Sequence, residues 1–299
     1  MNKLIYIAPV IFLMACISGS PPSKSVVNPD NIQSMILNKV PLQIIDVRDS
    51  DRFKKGHIYG AVSISRSDLE NHSTDIYGMR IEKEDFQSLI QGLGFTDKDS
   101  IYLYDAKANS EAARLWWLFK YYGFEKVAII DGGFLKWRIN RFKEEAGDFT
   151  RAPKSEFTLA KENNEELLAT KEDISNGVYD QIIDARSVEE YSGDVIKNGA
   201  MRPGHIPNAV NFDYWNLIKD NEFTLKNAEE IKSLLMEKGI STDKKTVIYC
   251  HSGVRSALMT LALRDLLGLK DVANYDGSWV EWSSDEALPA EVSTKQTHN

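Results

Sequence analysis

Four short apolar runs, Leu42 to Val47, Ala61 to Ile64, Ile101 to Tyr104 and Val127 to Ile130, punctuate the first half of the chain, and helix-spaced segments separate them. Runs this short and rich in Ile and Val, alternating with helical spacing, predict parallel strands joined by helices. The stretch Glu111 to Tyr122 is apolar on nearly every side, with Leu115, Trp116, Trp117, Leu118 and Phe119, and suits a helix packed on a sheet. Gly123 is placed to end that helix.

The same succession returns in the second half. Shifting the chain by 145 residues lays Ser100 to Asp105 on Lys245 to Cys250, Gly123 on Gly268, Asp131-Gly132 on Asp276-Gly277 and Trp137 on Trp282, with no gap. Gln43 to Arg48 resembles Gln181 to Arg186, and Gly56 to Val62 resembles Gly204 to Val210, with an insertion around Tyr191 to Arg202 between the two blocks of the second half. The pattern predicts a tandem duplication. Its parts are a domain over 28–145, a linker over 146–165 within the charged, Pro153-containing stretch that starts at Phe142, a domain over 166–290 and a polar, frayed tail over 291–299.

The first residues belong to a different kind of segment. Lys3 followed by apolar Leu4 to Ala15 reads as a signal peptide over 1–15, too short to span a bilayer as a mature helix. Leu13-Met14-Ala15-Cys16 resembles a bacterial lipobox, which implies a lipidated Cys16 and a flexible tether over 16–27; an ordinary signal cut elsewhere is the alternative. Ile17 in place of aspartate implies the periplasmic face of the outer membrane in a Gram-negative cell. The expected partners are therefore a membrane, through the lipid anchor, and small molecules, with the protein domain a monomer.

Charge narrows the partners further. With 36 basic and 44 acidic residues the chain carries a net charge of −8, and loss of Lys3 with the leader makes it −9. No basic stripe offsets this, so nucleic acid is not an expected partner. The two cysteines are Cys16 and Cys250, so lipidation of the first would leave a single exported thiol, and the five histidines are scattered. Neither a metal site nor a cofactor is expected.

Cys250 closes the apolar run Thr246 to Tyr249, and His251-Ser252-Gly253-Val254-Arg255 leads from it into the helix-patterned Ser256 to Leu263. A strand, a short loop and a helix start form an anion cradle whose amides and helix dipole favour thiolate over thiol. The duplicated half supplies an internal control, because it holds Asp105 at the position of Cys250 and Ala106 to Ser110 in the loop. Cysteine chemistry is thus expected in the second domain alone, with Cys250 as the nucleophile.

These residues resemble the two-domain rhodaneses. The resemblance runs over roughly residues 28–285 and rests on the duplication, the Asp-x-Arg blocks, Gly204-His205-Ile206-Pro207-Asn208-Ala209-Val210, the loop Cys250 to Arg255 and the closing Asn274 to Trp282. It implies an α/β fold, a tandem pair of five-stranded, mainly parallel sheets flanked by helices, with the C-terminal copy active. It implies a sulfurtransferase in which Cys250 takes a sulfane sulfur, becomes a persulfide and passes the sulfur to cyanide or another thiophilic acceptor. Arg255, His251, Ser252, Gly253 and Val254 would line the donor site, with Arg186 a second candidate for the donor's oxygens or a structural partner of Asp184. His251 either hydrogen-bonds donor oxygens, adds positive charge or faces solvent.

The donor is the open choice. Relatives acting on 3-mercaptopyruvate carry a loop like Cys-Gly-Ser-Gly-Val-Thr and a first-domain histidine that assists its serine; this chain has His251 and Arg255 instead, and Gly78 near the histidine's place, with His72 close by. The loop resembles thiosulfate sulfurtransferases more. Cysteine-dependent phosphatases resemble Cys-x5-Arg, and the Cys-x4-Arg spacing here gives a smaller cradle, better suited to one sulfur than to phosphate. An exported sulfur carrier without turnover would share every one of these residues.

Overall fold

The computed structural model describes residues 25–149 and 153–293. The first half runs β1 (Val26–Val27), α1 (Pro29–Leu37), β2 (Gln43–Asp46), α2 (Ser50–Lys55), β3 (His57–Ile58), β4 (Ala61–Ser63), α3 (Lys83–Gln91), β5 (Ile101–Tyr104), α4 (Ser110–Tyr121), β6 (Val127–Ile130), α5 (Gly133–Ile139) and β7 (Glu144–Glu145). The second runs β8 (Leu168–Ala169), α6 (Lys171–Ser175), β9 (Gln181–Asp184), α7 (Val188–Ser192), β10 (Val210–Asn211), α8 (Ala228–Glu237), β11 (Thr246–Tyr249), α9 (Val254–Leu261), a π-helical turn over Ala262–Leu266, β12 (Val272–Tyr275) and α10 (Ser278–Ser284).

Each half builds one five-stranded sheet, in the orders β1-β6-β5-β2-β4 and β8-β12-β11-β9-β10. These are the same order under the duplication, and all the pairings within both sheets are parallel. Each of the four apolar runs of the first half contains a strand, β2, β4, β5 or β6, as parallel strands covered on both faces require. The edge strands β1 and β8 escape the pattern because two residues carry no periodicity. Val26–Val27, assigned to the tether on sequence grounds, is thus part of the first sheet.

Helix α4 lies between the halves. Ala112, Ala113, Leu115, Trp116, Trp117, Leu118 and Phe119 are fully buried, and one continuous hydrophobic core carries them together with Ala257, Leu258, Met259 and Leu261 of α9. Each large side chain of this seam is worth roughly 1.5–3 kcal/mol of burial. This explains a helix without a polar face: α4 is covered by its own sheet on one side and by the other domain's helix on the other.

The connecting segments depart from expectation. Within the linker, Phe157 and Leu159 are buried, with Phe157 packed 5.2 Å from the Phe124 ring, and Gln91 Nε2 donates to the Phe157 carbonyl. Two apolar residues spaced by one are enough to fasten a charged strand to the first domain. The described part of the tail is tied as well, because His205 and Glu291 exchange backbone hydrogen bonds of 2.8 and 2.9 Å, and Trp282 Nε1 donates to the Pro289 carbonyl. No helix of the described residues is long and apolar enough to cross a membrane. Cys16, the signal segment and most of the tether lie outside the described residues.

Candidate active site

Cys250 follows β11, central in its sheet, at the carboxyl end of the parallel strands where open α/β sheets place their ligands. The thiol is 1% exposed. The backbone carbonyls of Cys250 and His251 accept from the amides of Trp279 and Val280 at the start of α10, both at 3.0 Å. Ser278 Oγ accepts from the amides of Cys250 and Gly253, each at 3.1 Å, and donates to the Tyr275 carbonyl. Ser256 Oγ donates to Sγ at 3.4 Å from the first turns of α9.

Burial pushes the Cys250 thiol up, but the Arg255 charge, the Ser256 hydroxyl and the amides of Ser256 and Ser252 outweigh it and hold the group below its ordinary value. Arg255 is itself fixed by a two-pronged pair with Glu190, Nη1–Oε2 at 2.6 Å and Nη2–Oε1 at 2.8 Å, and Lys197 approaches the same carboxylate at 3.0 Å. Although burial opposes ionisation of Glu190, the Arg255 and Lys197 charges bring it down to about 2. His251 donates from Nε2 to the Asn198 carbonyl, and burial holds its pKa below the ordinary imidazole value.

Above the loop, between the halves, an open cavity of about 680 Å³ is lined by Arg66, Tyr77, Lys107 and Glu111 from the first domain and by Lys197, Tyr214, Trp215, His251, Ser252, Val254 and Arg255 from the second. Four of these side chains are cationic and one is a carboxylate; with Glu70 and Glu190, which pair with Arg66, Lys197 and Arg255, the cluster keeps an excess of one positive charge although the chain is acidic. The walls are tied across the interface by Arg114 of α4. Its Nη1 lies 2.5 Å from Asp276 Oδ1 and 3.4 Å from the Gly253 carbonyl, and its Nη2 donates to the Gly78 carbonyl at 3.1 Å. Arg80 meets the other oxygen of Asp276 at 3.1 Å.

Gly78 presses directly on the loop serine. A Cβ at Gly78 would stand 2.7 Å from Ser252 Cβ and 3.3 Å from its Oγ, and the residue's φ of 83° is the left-handed region that suits glycine. His72 is exposed and bonded to the Ser67 carbonyl. Neither position brings an imidazole to Ser252.

The first domain shows what happens to the same cradle around a carboxylate. Asp105 is fully buried and accepts from the amides of Lys107 and Asn109 at 3.0 Å, of Glu111 at 2.7 Å and of Ala112 at 3.0 Å. The side chain fills its own anion site. The gapless sequence register also conceals a local difference. Helix α4 begins five residues after Asp105 and α9 four after Cys250, and the π-helical turn Ala262–Leu266 takes up the residue before the two halves realign at Gly268.

Arg186 is corrected to a structural role. Its Nε and Nη2 grip Asp184 at 2.6–3.0 Å, Nη2 also donates to the Gly204 carbonyl, and the side chain stacks on Trp279 away from the cavity. Arg48, Asp46 and Gly56 repeat this arrangement in the first domain. His57 and His205 likewise stack on Phe53 and Tyr191 as scaffold. Sequence reasoning brought Cys250, Ser252, Val254, Arg255 and His251 together, but it missed Ser278, Ser256, Glu190, Arg114, Asp276 and Arg66. Only Asp276 and Ser278 carried a signal, Asp276 as part of the repeated Asp-Gly pair and Ser278 as the residue after it, where the first half has Gly133.

Comparison with known proteins agrees with this geometry. The family model described as rhodanese-like domain matches residues 28–140 and 164–285. A Haloferax volcanii protein provisionally named thiosulfate sulfurtransferase is 34% identical over 256 residues, covering 83% of this chain and 87% of its own. The 3-mercaptopyruvate sulfurtransferase of Escherichia coli is 32% identical over 264 residues, covering 84% and 92%. The crystal structure of SseA from Escherichia coli superposes with a TM-score of 0.76 at 30% identity, over 86% of this chain and 99% of that one.

Proposed function

The chain belongs to the rhodanese-like family and is a sulfurtransferase of that family, and from this premise we propose that its donor is thiosulfate, its carrier the Cys250 persulfide and its acceptor cyanide or another thiophile. The Cys250 thiolate attacks the outer sulfur of thiosulfate. A Cys250–sulfur bond forms, the sulfur–sulfur bond of the donor breaks, and sulfite leaves with the electron pair. The persulfide anion then gives its terminal sulfur to the acceptor and returns the thiolate. No proton is transferred in the loading step, and the cradle amides stabilise the anion before and after it.

The observation that carries the thiosulfate reading is Gly78 against Ser252. A 3-mercaptopyruvate donor releases its sulfur by breaking a carbon–sulfur bond, and the carbon left behind must be protonated. Sulfite needs no proton to leave. A loop serine faced by glycine lacks the first-domain imidazole that would assist the first reaction, and the second reaction needs none. The Ser252 hydroxyl and the Escherichia coli relative favour 3-mercaptopyruvate as a second reading.

Intact mass of the purified protein after thiosulfate treatment tests the mechanism. A gain of about one sulfur atom, about 32 Da, is expected in the wild type and not in Cys250→Ser. Steady turnover with thiosulfate and cyanide supports the enzyme, and a stable persulfide with negligible turnover supports a carrier. Turnover with 3-mercaptopyruvate exceeding that with thiosulfate would reverse the donor assignment. The lipobox ending in Cys16 supports an envelope-anchored protein, and transfer of Cys16→Ala to the soluble fraction is the matching test.

A further inference from the structure

Two guanidinium groups line the cavity, and they differ in what they have left to give. Arg255 commits both terminal nitrogens to Glu190. Arg66 lies with Nε 2.7 Å from Glu70 Oε1, and its buried Nη2 has no hydrogen-bond partner among the described residues. A buried guanidinium N–H without an acceptor is costly unless something else supplies one. The place where Nη2 ends is informative, because a Cβ on Gly78 would stand 3.2 Å from Nη2, 3.3 Å from Ser252 Oγ and 2.7 Å from Ser252 Cβ, so the two polar groups lie on either side of Gly78. An arginine and the hydroxyl of the catalytic loop are therefore neighbours across Gly78, and both residues line the cavity.

The duplication sharpens the reading. Arg66 opens the 3-10 turn that follows the fourth strand of the first domain, and Tyr214 opens the corresponding turn after β10. Both line the cavity. The turn that faces the cysteine loop carries an arginine, whereas its counterpart from the second domain carries a tyrosine.

We propose that Arg66 is a donor-binding residue, contributed by the catalytically silent domain, whose guanidinium together with Ser252 Oγ holds the anionic end of the sulfur donor. This rests on the sulfurtransferase reading above and extends it. In the loading step the negative charge of the donor's terminal oxygens grows as sulfite departs, and a fixed guanidinium at those oxygens favours the departing form. Cyanide has no such terminus, so discharge of the persulfide makes no use of Arg66. The silent domain is then required for donor recognition and not only for packing.

The two half-reactions separate this role from a structural one. Loading is followed by rapid mixing of wild type, Arg66→Met and Arg66→Lys with thiosulfate; discharge is followed by mixing enzyme preloaded with inorganic polysulfide with cyanide. The expected result is a loss of at least tenfold in the second-order loading rate for Arg66→Met, partial recovery in Arg66→Lys, and a discharge rate within twofold of wild type. Loading within twofold of wild type in Arg66→Met overturns the proposal, and so does an equal loss in both half-reactions. If wild type is loaded by 3-mercaptopyruvate and not by thiosulfate, the donor reading falls, and the same comparison made with that carboxylate donor still decides the role of Arg66.

Discussion

Ser278 holds the amide of Cys250 on its Oγ at 3.1 Å while its own backbone sits at φ 52°, a conformation that its repeat counterpart, Gly133, adopts at φ 53°. A serine in the left-handed region carries strain of about 1–2 kcal/mol that glycine does not. The first domain avoids that cost, and the second accepts it in return for a hydroxyl that ties Cys250, Gly253 and Tyr275. Ser278→Gly and Ser278→Ala both lose the hydroxyl, but only glycine relieves the strain. Denaturant unfolding should therefore rank Ser278→Gly about 1 kcal/mol above Ser278→Ala, while both lose at least tenfold in persulfide formation. Equal activity in the glycine variant and the wild type would remove Ser278 from the site.

The pH dependence of thiolate reactivity follows from the competition around Cys250. Burial raises its pKa, and the Arg255 charge is the foremost of the opposing influences. Alkylation by iodoacetamide should therefore show an apparent pKa below the ordinary cysteine value of about 8.5. Arg255→Gln removes the positive charge, leaving burial to act, so the apparent pKa must move upward. A profile unchanged in Arg255→Gln would mean that the amides and Ser256 alone set the thiolate.

How much of this was legible in the chain depends on what kind of contact is involved. Cys250, its loop and the strand before it were readable because they are contiguous, and Asp105 set the two halves apart because the duplication supplied its own comparison. Arg114, Asp276 and Arg66 were not, since their meaning lies in an interface that brings Gly78 to Ser252 and α4 to α9 across more than a hundred residues of chain. Arg186 was ambiguous for a physical reason: an arginine two residues after an aspartate at a strand end serves an anion or its neighbour equally well on paper. The buried pair with Asp184, repeated by Arg48 and Asp46, decides it.

The Asp105 cradle makes a prediction about the first domain. Both carboxylate oxygens accept two amides each, so no replacement by an amide group preserves the set. Asp105→Asn turns an –NH2 toward two buried N–H groups and should cost about 2–4 kcal/mol of stability by denaturant unfolding. Asp105→Cys removes that clash but meets Ser110 rather than an arginine near the loop's end, and it should gain no sulfur from thiosulfate. A second sulfur in the mass of Asp105→Cys would show that the amides suffice without a cation.

The interdomain clamp ties stability to catalysis in a way that a double substitution separates. Arg114 and Asp276 are both buried, and Arg80 is the remaining partner of the carboxylate. Arg114→Met leaves Asp276 with Arg80 alone in a dry interface and should destabilise by about 3–5 kcal/mol. Adding Asp276→Leu removes the unpaired carboxylate, while Arg80, 23% exposed, turns toward water. The double variant should therefore be more stable than Arg114→Met, with a coupling energy on the order of 1–3 kcal/mol between the two sites. Catalysis should not follow stability, because Arg114 also donates to the carbonyls of Gly253 and Gly78, and both variants lack those bonds. The expected pattern is recovered unfolding free energy in the double variant with loading from thiosulfate still reduced at least tenfold. Recovery of both together would reduce Arg114 to an ion pair that happens to lie beneath the loop.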